Sequence, residues 1–476
     1  MGTISSALSM MSQALDADQE ALNVVANNVA NANTTGYTRE TSTFVENDPV
    51  TINGVSCGEG ATNTGPISMR DKVLTERLDQ QQQLASASST RMTALESVQG
   101  LFTVDSNSST SSTAGDIGSD LTSFFDSFST LEGNTSSSTY RGDVLSTAKT
   151  LASDISGTAT SLSSQKSDLD QEAAGVTSQV NALTTSIAQL NQEITSTSPD
   201  TDAGTLEDQR EEDVSELSKL VGINQIATQD NGLSITTTSG VLLVSGDSSN
   251  QITNGSVDGV THFFVGSTDI TSGLTTGGGS LGGYLTARDV DIPSVLSSLD
   301  QLAYSVSTEV NSLNNSGVDE SGGTGTTTDP LYIFSEPTEV SGSAASMSVV
   351  MTDSSQISTG SSGNGSGDNS NAIAMAKLNS SSSTIVNGKS PSNYYSSFVS
   401  SLGSTVSEVT NQNTAQEASV TQLQTQSDTL SGVNENDEAS SMTTLERSYQ
   451  AASQVFSMLN TLMASALNLG DETTVS

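Results

Sequence analysis

Residues 4–33 read ISSALSMMSQALDADQEALNVVANNVANAN, and their spacing decides the fold. Ile4, Leu8, Met11, Leu15, Leu22, Val25 and Val29 fall on alternating four- and three-residue steps, interrupted only by Asp18. An apolar seam that repeats every seven residues makes a helix that cannot bury its own face. A second seam stands at the other end of the chain: Met442, Leu445, Tyr449, Ala452, Phe456, Leu459, Met463 and Ala466. The simplest arrangement pairs the two ends with each other and then with neighbouring copies. Such a chain is a building block of an assembly rather than an enzyme.

Outward from the first seam, the helix is expected to run from Ile4 to Asn33. It closes through Asn31-Ala32-Asn33-Thr34-Thr35-Gly36-Tyr37, because Asn and Gly tolerate the left-handed backbone that ends helices. Residues 41–68 read as extended, with turns at Asn53-Gly54 and Gly58-Glu59-Gly60. A helical pattern returns over 68–104, a Ser/Thr loop covers 106–114, and a short amphipathic helix is expected over 117–131. A third heptad run spans 155–194, with Ile155, Leu162, Leu169, Val176, Leu183 and Leu190 each seven apart. Its expected partner is the 68–104 helix or a later one. Residues 205–221 resume as helix.

From Val221 the period changes to two. Residues 234–237 and 241–244 flank a turn at Ser239-Gly240, and 261–265 is another short strand. Helix returns over 285–314, strands are expected at 331–334 and 345–351, and helices at 371–380, 391–430 and 435–469. The fold class is α+β multidomain: terminal helices forming a coiled-coil layer, a long helical-bundle domain and an inserted small β-domain. Residues 1–40 with 431–476 make the terminal assembly domain. Residues 41–220 with 281–430 make a helical and mixed α/β middle domain. Residues 221–280 form the β-rich outer domain, with a second small β/loop region at 316–370.

Composition narrows the partners. The chain has 476 residues, 33% hydrophobic and 4% aromatic with no Trp, too lean for one large core. Its 54 acidic and 14 basic residues give a charge of −40, which repels nucleic acid and anionic membranes. Cys57 and His262 stand alone, so one chain forms neither a disulfide nor a Cys/His metal cluster. No stretch reaches the roughly 20 apolar residues of a membrane span. The start, Met-Gly-Thr-Ile-Ser-Ser, lacks the pattern of a secretory signal, and composition alone predicts a cytosolic protein. The glycines at 277–279 and 359–367 lack the context of a phosphate cradle. The acids at 200–213 lack calcium-loop spacing. No organised carboxylate pair stands beside His262, so neither catalysis nor a cofactor or metal is expected.

The run Ala26-Asn27-Asn28-Val29-Ala30-Asn31-Ala32-Asn33, continued by Thr34-Thr35-Gly36-Tyr37-Thr38-Arg39, resembles the N-terminal signature of bacterial flagellar axial proteins. These are the rod, hook and hook-associated subunits. Thr35 stands where that family usually has Pro. Gly432-Val433-Asn434, Asp437-Glu438 and 445–455 resemble the family's C-terminal signature, with Leu445 where an aromatic is common. Gly282-Gly283-Tyr284-Leu285, Arg288-Asp289, Leu299-Asp300-Gln301-Leu302 and Leu217-Ser218-Lys219-Leu220 resemble its hook-associated, junction-forming members.

The resemblance implies a structural subunit between hook and filament, exported unfolded through the flagellar apparatus from cytoplasm to cell exterior. That export route reconciles an external site with the missing signal. Implied partners are further copies of the chain, hook protein, a second junction protein (hook-associated protein 3) and an export chaperone on the C-terminal helix. The expected assembly interface is Ile4, Leu8, Met11, Leu15, Leu22, Val25 and Val29, the amides Asn27, Asn28, Asn31 and Asn33, and Leu445, Tyr449, Ala452, Phe456, Leu459 and Met463. Hook or distal-rod protein is the alternative within the class. Outside it, the alternative is a secreted coiled-coil adhesin displaying the Ser/Thr-rich middle. Flagellin fits the amide run poorly, and a fused peptidoglycan hydrolase lacks its acid pair.

Overall fold

A computed structural model gives the structure of the chain and describes residues 2–34, 36–52, 55–102, 116–197, 203–361, 364 and 367–471. The turn expected at Asn53-Gly54 and the loop expected at 106–114 lie outside the described residues. Helix α1 (Gly2–Ala30) leads to strands β1 (Glu40–Glu46), β2 (Val50–Ile52), β3 (Val55–Cys57) and β4 (Ala61–Ser68). β1 pairs antiparallel with β4, and β2 with β3, as two successive two-stranded pieces of one narrow ribbon; the β1–β4 piece lies along α1. Then come α2 (Lys72–Gly100), α3 (Ile117–Glu132), α4 (Ser138–Thr197) and α5 (Thr205–Leu220). Asp71 caps α2, its carboxylate accepting from the Val73 and Leu74 amides at 3.0 Å.

The β region holds two antiparallel sheets. β5 (Ile223–Ala227), β6 (Leu233–Thr237), β7 (Leu242–Ser245) and β8 (Ser248–Ser249) lie in chain order; β9 (Ile252–Val257), β10 (Val260–Val265) and β11 (Thr268–Asp269) make the second. Helices α6 (Thr271–Gly277), α7 (Gly279–Thr286) and α8 (Ile292–Ser316) follow, with a π-helical segment Ala287–Asp291 between the last two. After β12 (Gly317–Val318), α9 (Ser343–Ser346), β13 (Gly360–Ser361) and α10 (Ser370–Lys377) come the long helices α11 (Pro391–Ser431) and α12 (Glu435–Asp471).

Two apolar cores share α4, whose 60 residues span about 90 Å. The first gathers Phe124, Phe128 and Phe334 with Leu151, Ile155, Leu299, Val306 and Phe398. The second gathers Val180, Ile187, Leu217, Ile235, Leu243 and Phe263, so the inner face of the sheets rests on α4 and α5. The π-helical turn sits where the cores meet. It aims Arg288, fully buried, at Asp170 on α4 and places Asp291 to accept two bonds from Arg91 on α2, both 2.8 Å.

Of the two partners expected for the 155–194 heptads, the later helix is the one found: α4 packs on α5, as well as on α3 and the sheets, while α2 pairs antiparallel with α11. One expectation needs correction. The strands expected at 331–334 and 345–351 reduce to one bridge, Phe334 with Val349, and 343–346 is a helical turn. The reason is side-chain competition for the backbone. Asn311 on α8 accepts from the amides of Ile333 and Phe334 and donates to Phe334 O at 2.8 Å, while Asn314 donates to Leu331 O at 2.7 Å. Those groups are satisfied without a ladder.

The same device recurs. Gln83 on α2 donates to Ile223 O and accepts from Ile223 N; Asn181 does this to Ile252, and Asn191 to Leu233. Each amide clasps both polar groups of one residue on a neighbouring element. The clasped residues Ile223, Leu233, Ile252 and Phe334 are themselves buried in the cores, so each clasp fixes the backbone behind a core side chain.

Candidate functional site: the joint at the base of the terminal helices

α1 and α12 lie antiparallel, and their inner seams face each other. Ile4, Leu8, Met11, Leu15 and Leu22 are half-buried, as are Leu445, Ala452, Phe456, Leu459 and Met463; Val25 is buried. Val29, Asn33 and Tyr449 are exposed. Near its base α1 is covered on a second side by the ribbon, so Ala17, Ala21 and Val24 are buried too.

The amide run serves two ends. Asn31 donates to Asn27 O at 3.0 Å and Asn27 Oδ1 at 2.8 Å, closing the helix locally. Asn28, only 1% exposed, reaches across the chain. Its Nδ2 donates to Glu40 O at 2.8 Å and to Glu438 Oε2 at 3.1 Å; its Oδ1 accepts from Glu40 N at 3.0 Å and Tyr37 Oη at 2.8 Å. Glu438 is equally buried, and its other oxygen accepts from Arg39 Nε at 2.8 Å. The amide of Arg39 donates to Ser431 O at 2.9 Å, where α11 ends. Burial, and after it the nearby carboxylates, holds the Tyr37 hydroxyl well above its ordinary pKa, so it stays a donor.

One step along, the loop is tied to α5 and to the segment before α2. Thr38 N donates to Asp208 Oδ2 at 3.1 Å, and Arg70 Nη2 donates to Asp208 Oδ1 at 2.6 Å and to Thr38 Oγ1 at 2.6 Å. Gly36 is required here. Its φ is +76°, and a Cβ would stand 2.6 Å from Glu212 Oε2. The joint therefore gathers α1, the loop after it, α5, the start of α2, the end of α11 and the start of α12.

Asn28 was in the expected interface; Arg39, Glu438, Asp208 and Tyr37 were not. One signal pointed to Glu438: it stands four residues before Met442, on the C-terminal seam itself. A carboxylate on an apolar seam calls for a buried partner.

A cavity of about 270 Å³ adjoins the joint, lined by Gly36, Arg70, Asp79, Glu212, Lys219 and Asp428 among others. Asp79 is 1% exposed and accepts from Gln225 Nε2 at 2.8 Å. Burial pushes its carboxyl up to about 7. A carboxyl raised in the fold binds a proton that the unfolded chain has lost, so stability falls as pH rises from about 4 to 7. Asp79→Asn keeps the acceptor for Gln225 and removes the penalty. It is expected to raise stability at pH 7.5 by about 3 kcal/mol and to flatten that pH slope. Denaturant midpoints at pH 4.5 and 7.5 test it; an unchanged slope in the variant overturns the assignment.

His262 is not near the joint. It faces Asp269 at 2.6 Å on the outer sheet, where Thr271 and then His262 hold Asp269 down at about 2. Among the described residues no group of three or more His, Cys, Asp or Glu stands ready for a metal, and no helix is long and apolar enough to cross a membrane.

A tied base beneath a helix pair with exposed apolar positions has the form of a structural subunit. Residues 103–328 match the flagellar hook-associated protein FlgK helical domain, and residues 8–38 match the flagella basal body rod protein family. Flagellar hook-associated protein 1 of Salmonella typhimurium is 30% identical over 68% of this chain, and the match spans 59% of that relative's length. The Escherichia coli protein of the same name is 25% identical over 98% of this chain and all of its own, and that of Bacillus subtilis 26% over 96% of each. The flagellar hook junction protein FlgK from Burkholderia pseudomallei shares the fold, with TM-score 0.62 and 18% identity over 74% of this chain and 99% of its own. The chain belongs to the FlgK family of flagellar hook-associated proteins, which are structural and not enzymes.

Proposed function

We propose that this chain is a structural subunit of the bacterial flagellum, forming the junction between hook and filament on which flagellin assembles. The observation that carries the reading is the terminal helix pair. It is anchored at its base by buried polar bonds, yet α12 carries Val455, Met458 and Leu462 exposed on its outer side. Such a pair is half of an interface. The partners are further copies of the chain and the adjoining parts of the flagellum: hook protein on one side, hook-associated protein 3 on the other. Before export an apolar helix of this kind needs cover, and an export chaperone on α12 supplies it. The site of action is the extracellular flagellum.

Residues 1–40 with 431–476 act as the assembly unit, 41–220 with 281–430 as the shaft, and 221–280 as the outward domain. Within the assembly unit, the seam residues from Ile4 to Val25 and from Leu445 to Met463 carry helix packing, and Asn28 carries the joint. In a strain lacking its own junction protein, the chain is expected to restore swimming and hook-bound filaments. Flagellin lost to the medium despite export of this chain, with hooks left bare, overturns the reading.

A further inference from the structure

The ribbon β1–β4 begins where the assembly unit's first segment ends, and the terminal seams leave it unexplained. In a chain this polar it carries an unusual surface. Phe44, Val45 and Ile67 are each more than two-fifths exposed, and Met69 just beyond the ribbon is the same. Phe44 also lines a groove of about 350 Å³ together with Leu445 of α12 and with Ala21 and Val24 of α1, the last two already buried in the single chain. Three charged groups line it as well: Arg39 and Glu438 are bonded to each other in the joint, and Glu40 has its backbone held by Asn28. The groove therefore sets apolar side chains among neutral polar ones such as Thr41, Ser441 and Thr444.

The chain carries a matching ridge. From Ser448 to Gly470 α12 has no charged residue, within a chain of net charge −40. Its inner seam is taken by α1. Val455, Met458 and Leu462 remain 43–65% exposed on the outer side. Spacings of three and four residues keep them on one side of the helix. A contiguous apolar ridge at solvent is a contact surface.

We infer that the groove between Phe44 and Leu445 receives the ridge Val455–Leu462 of a second copy's α12. This rests on the assembly reading and adds its geometry. Groove and ridge are different patches of one chain, so a pair of copies leaves one of each unused. The contact is head-to-tail and propagates instead of closing as a dimer. Leu445 and Leu462 are 17 residues apart on one straight helix. Successive copies are then displaced by about 25 Å along the helix direction. The same separation prevents a chain from filling its own groove.

The test uses the full chain with Cys57→Ser as parent, expressed in a strain lacking its own junction protein. Phe44→Cys with Leu462→Cys, both at exposed positions, is expected to give a ladder of disulfide-linked oligomers when assembled flagella are oxidised. Each single cysteine is expected to give none. Phe44→Glu is expected to weaken assembly about tenfold or more, while Val257→Glu on the outer sheet leaves it unchanged. Hydrogen exchange is expected to show new protection at 42–46 and 455–462 on assembly. The inference is overturned if the double variant builds working junctions without the ladder, if its cysteines link to hook protein instead, or if Phe44→Glu swims normally. Failure of the Cys57→Ser parent, and of the unaltered chain, to restore filaments sinks the assembly reading itself.

Discussion

Asn28→Leu is expected to free the terminal helix pair from the shaft while leaving both cores folded. The substitution keeps the side chain's bulk and removes four hydrogen bonds at once. Tyr37 and Glu438 lose a partner inside a buried site, and a hydrogen bond to a charged group is worth more than a neutral one. The cost is about 3–5 kcal/mol, and it falls on the joint because no residue of the joint belongs to either core. In the unaltered subunit, hydrogen exchange is expected to be slow over 17–40 and around Glu438 and fast in the outer halves, where α1 and α12 have only each other. In the variant the base is expected to exchange as fast as the outer halves, with the core transition unmoved and swimming abolished. Protection retained at Val24 and Glu438 would show that the seam alone holds the helices.

Leu459→Asp is expected to block assembly completely. Leu459 lies on the inner seam of α12, half-buried against α1 in the single chain. On the proposed assembly, that seam loses its remaining water. An unpaired carboxylate held there costs about 3–5 kcal/mol in every copy. The single chain tolerates the change because the new carboxylate still reaches solvent, so export continues while hooks stay without filaments and flagellin appears in the medium. Normal swimming by this variant would place the seam at a wet surface, and the helix packing proposed for it would fall.

The parts of the fold that could be read from the residues are those fixed by short-range periodicity. The 3.5-residue seams placed α1 and α12, and the two-residue alternation at 234–237, 241–244 and 261–265 placed β6, β7 and β10. Expected strands at 331–334 and 345–351 failed because Asn311 and Asn314 lie elsewhere in the chain and claim that backbone first. The start of α4 at Ser138 was missed, although Leu145, Ala148 and Ala152 carry the same three- and four-residue steps back from Ile155 and are buried in the first core. The joint was half legible. An amide-rich helix end is visible in residues 26–33, but which amide turns inward depends on a rotation of about 100° per residue. Its partner Glu438 is 410 positions away, a separation no local pattern encodes.

The amide clasps carry a consequence for a chain that must find its shape from an unfolded state. An Asn or Gln that grips both the N–H and the C=O of one residue accepts only that residue: a slip of one turns those groups the other way. At Asn28–Glu40, Gln83–Ile223, Asn181–Ile252, Asn191–Leu233 and Asn311–Phe334 the chain thus tests its own alignment as it refolds, and misthreaded forms are left with open, thirsty polar groups. Because amides do not ionise, that proofreading works alike in acid and in alkali, in fresh water and in brine, wherever the swimmer happens to be.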